Sequence, residues 1–175
     1  AYNDRSRSCR EAVRALREIE PDVRALRDVD ADLLLAASDH MDEETLRRAS
    51  HVVAENRRPP AMADALRRGD LAAAGRLMDE SHFSLRDLYE VSSEELDLFT
   101  DLARRHPACF GARLTGAGFG GCAIALVSAG DADSFIDEVH TAYRETVDLP
   151  SSCFACRAAA GARLVAADDT KARAG

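Results

Sequence analysis

Tryptophan is absent from this chain, and six phenylalanines and three tyrosines leave aromatics at 5% of its 175 residues. With 46% hydrophobic residues, the chain can still bury one real core, and scarce aromatics with abundant aliphatics suit a helix-rich domain. No run approaches the roughly 20 apolar residues of a membrane span, and no charged-then-apolar leader opens the sequence. Positive charge is the minority sign. The 23 Lys and Arg against 31 Asp and Glu give a net charge of -8, which argues against general attraction to nucleic acid or membrane, although the signs are interspersed.

Cysteine is too irregular for a disulfide framework: Cys9, Cys109, Cys122, Cys153 and Cys156 are an odd set, and a reducing cytoplasm is the default. Cys153-x-x-Cys156 lacks the second such pair that zinc requires, and in a strand its thiols would point to opposite faces. That pair therefore reads as small buried hydrophobes. Among the histidines there is no HExxH and no His-Cys cluster. Asp28-x-Asp30-x-Asp32 imitates a calcium loop, but Leu33 stands where its glycine belongs and Asp39 where its glutamate belongs. Ser81, His82 and Asp87 are triad residue types without a nucleophile elbow. His51 and Glu55, one helical turn apart, read as solvated or capping, and Arg47-Arg48, Arg57-Arg58 and Arg67-Arg68 as solvated helix faces.

Helical periodicity fills the first hundred residues. Val13, Leu16 and Ile19 or Glu20 mark one stripe; Leu33, Leu34 and Ala37 follow an Asp30 cap; Leu46, Ala49, Val52 and Val53 share a face after Asp42. Pro59-Pro60 must end that helix, and a new one starts there, with Pro60 at an early position. Gly69-Asp70 separates it from a helix bearing Leu71, Ala74, Leu77 and Met78. Ser92 and Glu95 form a capping box for a helix that buries Leu96, Phe99 and Leu102 or Ala103. After Pro107 strands are expected at 110–115 and 122–128, then an Asp131-led helix, then shorter strands at 152–157 and 162–165. This order predicts an α+β fold with helices on one face of a mainly antiparallel sheet, folded over 1–165, and a disordered tail over 166–175. Ala1 followed at once by a helical pattern reads as a cut start.

Between the two expected strands lies the densest signal, Leu114-Thr115-Gly116-Ala117-Gly118-Phe119-Gly120-Gly121-Cys122. Four glycines in six positions leave backbone N-H groups uncovered and free to turn toward an anion. The spacing matches a dinucleotide fingerprint, but a strand follows where a helix must open; it also matches a P-loop, but Cys122 stands where a lysine must be. Spacing alone leaves two readings: a phosphate-side loop, or a hairpin turn with no ligand.

Segments spread along the chain carry a resemblance. Tyr2-x-x-Arg5-x-Arg7-x-Cys9, Leu26-Arg27-Asp28-Val29, Arg48-x-x-His51-Val52-Val53-x-Glu55, Glu80-Ser81-His82, and Tyr89-Glu90-Val91-Ser92 resemble, in this order, the C-terminal half of the galactokinases. The glycine loop looks like the third motif of the wider GHMP kinase superfamily. The resemblance implies a ferredoxin-like core and phosphoryl transfer from MgATP to galactose, giving galactose 1-phosphate in a cytoplasmic monomer. By the same resemblance Tyr2 is a substrate-binding residue, and Thr115, Gly116, Ala117, Gly118, Phe119, Gly120 and Gly121 form the nucleotide and active-site loop. No catalytic or metal-binding residue is implied here, because the family's first two motifs and its aspartate base lie in the N-terminal half. ATP and Mg²⁺ would be held mainly by that half, and the chain alone would be inactive. Ser6, Ala117, Pro59-Pro60 and Ala160 depart from the family pattern. The alternatives are a kinase for N-acetylgalactosamine or another sugar, a catalytically dead sensor of galactose and ATP, and a freestanding binding module, which the cut-looking start disfavours.

Overall fold

Three aspartates set helix starts by the same local device. The Asp30, Asp42 and Asp70 carboxylates accept the backbone N-H of Leu33 at 2.9 Å, Thr45 at 2.7 Å and Ala73 at 2.9 Å, each filling one of the amides a helix start leaves unpaired. The computed structural model describes residues 2–159 and 161, with the backbone alone at Tyr2. Its helices are α1 (Tyr2–Leu16), α2 (Ala31–Ala36), α3 (Glu43–Glu55), α4 (Arg58–Arg67), α5 (Leu71–Asp87) and α6 (Glu94–Arg105). Then come strand β1 (Cys109–Thr115), strand β2 (Cys122–Val127) and helix α7 (Ala132–Thr146). The α+β class is as expected.

The N-terminal helices close on an aliphatic core of Ala12, Leu16, Leu26, Leu34, Ala49 and Val53, in which Leu16 is fully buried. Burying a leucine of that kind stabilises the fold by about 1.5–3 kcal/mol. Pro59 and Pro60 stand in the first turn of α4, where a missing N-H costs nothing, so the chain breaks between α3 and α4 as the sequence requires. Gly69, at φ +68°, ends that helix in the left-handed conformation glycine favours.

β1 and β2 pair antiparallel, with Thr115 opposite Cys122 and Ala112 opposite Ala125, and a bulge falls between Cys109 and Gly111. α6 and α7 cover one face through Ala103, Phe135 and Val139 against Ala112. The opposite face carries Ile124, 47% exposed. α5 lies along the other edge of β1: the Asp79 carboxylate accepts the Ala112 N-H at 2.9 Å, and His82 Nδ1 accepts the Leu114 N-H at 3.3 Å. A strand edge with free amides invites further pairing, and here helix side chains satisfy it. Because Nδ1 accepts, the His82 proton sits on Nε2, which faces the Thr100 hydroxyl at 2.9 Å and Asp97 at 3.2 Å. Arg104 ties the seam together, donating to Asp79 at 2.9 Å and to Asp101 at 2.7 Å. The approach is so close that a Cβ on Gly75 would stand 1.8 Å from the Phe110 carbonyl oxygen, and one on Gly111 2.1 Å from that of Gly75.

Several expectations need correction. Residues 152–157 form no strand; the stretch is mostly exposed and pairs with neither β1 nor β2, and an unpartnered strand has nothing to fix it. The expected strand at 162–165 and tail at 166–175 lie outside the described residues. Ser93, not Ser92, caps α6, accepting the Leu96 N-H at 3.4 Å, because the Ser92 hydroxyl is bound to Asp97 at 2.5 Å. α1 ends at Leu16, leaving Ile19 41% exposed. The cysteines are free and none is fully buried; Cys122 and Cys156 are exposed. No helix among the described residues is long and apolar enough to cross a membrane.

Candidate functional site

The glycine loop, residues 116–121, joins β1 to β2 in a backbone conformation that its sequence alone permits. Gly116, Gly118, Gly120 and Gly121 have φ of +85°, +77°, +109° and +93°, a region closed to most side chains by contact of Cβ with the backbone. Phe119 joins them at φ +61°, the one loop residue with a side chain in that region. Gly116, Gly120 and Gly121 have no atom within 4 Å of where a Cβ would stand, so the loop borders open space at these positions. Gly118 differs: a Cβ there would lie 2.2 Å from the Val91 carbonyl oxygen. That same oxygen accepts the Phe119 N-H at 2.6 Å, and this bond anchors the loop.

The anchor is itself held. Glu90, before Val91, sits at φ +55°, and its carboxylate meets Arg47 at 2.8 Å and Arg48 at 3.2 Å, with Arg5 at 3.9 Å. Arg5 also donates to the Tyr89 carbonyl at 2.8 Å and to the Glu90 carbonyl. Its guanidinium lies over the Phe119 ring, 5.4 Å from the centroid, a cation-π contact worth about 0.5–1 kcal/mol. Partial burial tends to raise the Glu90 carboxyl, but bonds from Arg47 and Arg48 outweigh it and hold the group below the usual carboxylate range. Arg48, only 4% exposed, further donates to Ser8 at 3.0 Å and pairs with Glu44. Arg47 and Arg48 are therefore not a solvated face; of the three arginine pairs, only Arg57, Arg67, and Arg68 are exposed.

Beneath the clamp runs a polar interior. His51 is buried, stacks on Tyr89 with ring centroids 4.6 Å apart, and shares a 2.8 Å hydrogen bond with the Ser84 hydroxyl, so it neither caps a helix nor meets solvent. Burial pushes its pKa down to about 4, against a smaller opposing pull from Glu55. Glu55 takes the Ser81 hydroxyl at 2.7 Å, Arg58 at 2.6 Å and Arg113 of β1 at 3.3 Å. Burial would raise its carboxyl, but these partners win and lower it. Ser81 and His82 thus serve the fold and make no triad with Asp87, whose partner is Arg86 at 2.7 Å.

Of the residues singled out in the sequence, Thr115 ends β1 and Gly116, Ala117, Gly118, Phe119, Gly120 and Gly121 form the loop together. Tyr2 opens α1, one helical turn before Arg5, so the first turn of α1 reaches the loop through the Arg5 guanidinium. Sequence reasoning missed Glu90, Arg47 and Arg48 as loop supports. Their signal was present only as letters within the resembling segments, because a left-handed glutamate and a buried arginine leave no periodic trace.

The family model described as "GHMP kinases C terminal" matches residues 62–145, which run from α4 through the glycine loop into α7. The chain belongs to the GHMP kinases through this C-terminal domain. It is 45% identical over 161 residues to the galactokinase of Roseiflexus sp., covering 92% of this chain and 41% of that protein. The human galactokinase is 43% identical over 164 residues, 94% of this chain and 40% of the relative. The crystal structure of Lactococcus lactis galactokinase complexed with galactose superposes with a TM-score of 0.80 at 39% identity, over 86% of this chain and 39% of that one. The chain thus spans about two fifths of the length of the galactokinases it matches. The family likeness is to a sugar kinase, within the transferases.

Proposed function

We propose that this GHMP domain forms the glycine-loop wall of a galactokinase active site, serving phosphoryl transfer from MgATP to the anomeric hydroxyl of galactose. The observation that carries the reading is the loop: three left-handed glycines bordering open space, in a chain 39–45% identical to galactokinases. Bare amides suit the phosphate side of such a reaction, since phosphoryl transfer depends mostly on positioning and on stabilising charge. In this assignment Thr115, Gly116, Ala117, Gly118, Phe119, Gly120 and Gly121 line the phosphates, and the Tyr2 phenol hydrogen-bonds the sugar. The Glu90 clamp keeps the loop in register by fixing Val91, its anchor. Mg²⁺ arrives with ATP and takes no ligand from this chain. The groups that polarise and deprotonate the sugar belong to the N-terminal half of a galactokinase, so residues 1–175 alone are inactive, in a cytoplasmic monomer.

ADP release from MgATP tests this with galactose, N-acetylgalactosamine or no sugar, using the chain alone and the longest polypeptide its gene encodes. Galactose-dependent turnover in the longer polypeptide and none in the chain is the expected result. Turnover by the chain itself would overturn its inactivity. A preference for N-acetylgalactosamine would replace the substrate, and sugar binding without turnover in the longer polypeptide would replace the kinase with a sensor.

A further inference from the structure

A cavity away from the glycine loop is lined with the charge this chain has least of. Arg10 and Arg14 follow one another along α1, Arg17 stands in the turn just past its end at the same helical spacing, and Arg24 and Arg27 line the same cavity from the segment that follows, in a space of about 720 Å³. No aspartate or glutamate lines it, although acids outnumber bases in the chain. None of the five guanidiniums makes an ion pair among the described residues; Arg17 donates to the Val23 carbonyl at 2.7 Å and Arg10 to the Ser6 hydroxyl at 2.7 Å. Like charges one turn apart oppose helix formation, and five of them around one cavity repel one another. An anion relieves both. Besides the polar Ser6 and Asn56, the lining includes apolar Cys9, Val13, Leu26 and Val52, of which Leu26 belongs to the N-terminal core.

From this lining we infer a second ligand site, for a small phosphorylated organic anion with an apolar or aromatic body. The volume falls within the roughly 300–1,000 Å³ of small-molecule sites. Guanidinium forks match phosphate oxygens in pairs, and the cavity supplies several without an internal competitor. The apolar part of the lining accounts for the body, since inorganic phosphate would leave Val13 and Val52 facing water. The site is independent of the glycine loop and of the kinase reading.

The test is a titration of 1-naphthyl phosphate into the ¹⁵N-labelled chain at neutral pH and low salt, followed by amide shifts. Saturable shifts are expected at Val13, Leu26 and Val52, with affinity falling about tenfold in the double variant Arg14→Gln/Arg27→Gln. Neither arginine side chain makes a hydrogen bond among the described residues, so the variant keeps the fold, which its unperturbed amide spectrum checks. Inorganic phosphate and 1-naphthol should each bind at least about tenfold more weakly. Equal binding of inorganic phosphate would overturn the apolar body. Shifts confined to residues 116–121, no saturable shift, or undiminished affinity in the double variant would overturn the site.

Discussion

Strand β1 and the loop that follows it are held in opposite ways. Along the strand, α5 approaches to backbone contact at Gly75 and Gly111, and the free-edge amides of Ala112 and Leu114 are taken by Asp79 and His82. In the loop, one bond from Phe119 to Val91 anchors the backbone, and three of four glycines border open space. Glycine serves both regions for different reasons: close approach in the seam, left-handed backbone in the loop. The loop, at the surface, can leave backbone groups to solvent or a ligand, while the strand behind it can spare none.

Alanine at the two kinds of glycine is the harshest test of that contrast. Gly111→Ala drives a methyl to 2.1 Å from the Gly75 carbonyl oxygen, and neither backbone can yield, so urea unfolding should show a loss of about 3 kcal/mol or more. Gly120→Ala meets nothing within 4 Å and carries only the strain of φ +109°, about 1–2 kcal/mol. Equal losses at the two positions would dissolve the distinction.

Acid should attack the packed side before the loop. His51 is held neutral by burial with its pKa lowered to about 4, and burial together with Arg104 lowers that of His82. The unfolded chain therefore binds protons below about pH 6.5 that the fold refuses, so stability is full above that pH and falls as the pH drops toward 4. For His51 the loss amounts to about 3 kcal/mol across that window. Glu55 and Glu90, both lowered, add their own loss only below the ordinary carboxylate range near 4.5. Unfolding free energies across pH 7 to 4.5 isolate the histidines, and His51→Gln should flatten the slope. An unchanged slope would mean that His51 binds protons as readily in the fold as in the unfolded chain.

How far the sequence could be read depends on the range of each interaction. Asp30, Asp42 and Asp70 were legible as caps because the carboxylate and its amide are three residues apart. The two strands and their loop were legible because alternation and glycine spacing are equally local. Ser92 misled because Ser93 is as good a cap, and only the Asp97 side chain decides between them. Asp79 and His82 reach an edge more than 30 residues away, and Arg48 is buried by a glutamate 42 residues on, so neither left a pattern to find. The loop's position between the strands was legible; its supports were not.

Loosening the supports should move the loop and spare the strand. Glu90→Gln removes the charge that Arg47 and Arg48 share, but the carboxylate is 41% exposed and solvent screens it, so about 1 kcal/mol or less is expected in unfolding. Amide hydrogen exchange carries the sharper signal. The Phe119 N-H should exchange severalfold faster in the variant, while the Ala112 and Leu114 amides keep their wild-type rates, because Asp79 and His82 do not depend on Glu90. Uniform acceleration at all three amides would show one cooperative unit in place of two.

Phe119→Gly should have the smallest effect on stability, because two terms oppose. Glycine removes the cost of a side chain at φ +61°, about 1 kcal/mol, but it also frees the unfolded chain by roughly 0.4–1 kcal/mol. The variant further loses the contact between the ring and Arg5, about 0.5–1 kcal/mol. These sum to within about 1 kcal/mol of zero, since the ring is 44% exposed and buries little. Arg5 keeps its bonds to the Tyr89 and Glu90 carbonyls without the ring, so the clamp survives. A near-neutral Phe119→Gly that lowered galactose phosphorylation in the longer polypeptide would assign the ring to the ligand side of the loop. A loss well above 2 kcal/mol would place Phe119 with the packed strand and move the boundary between the two regions past it.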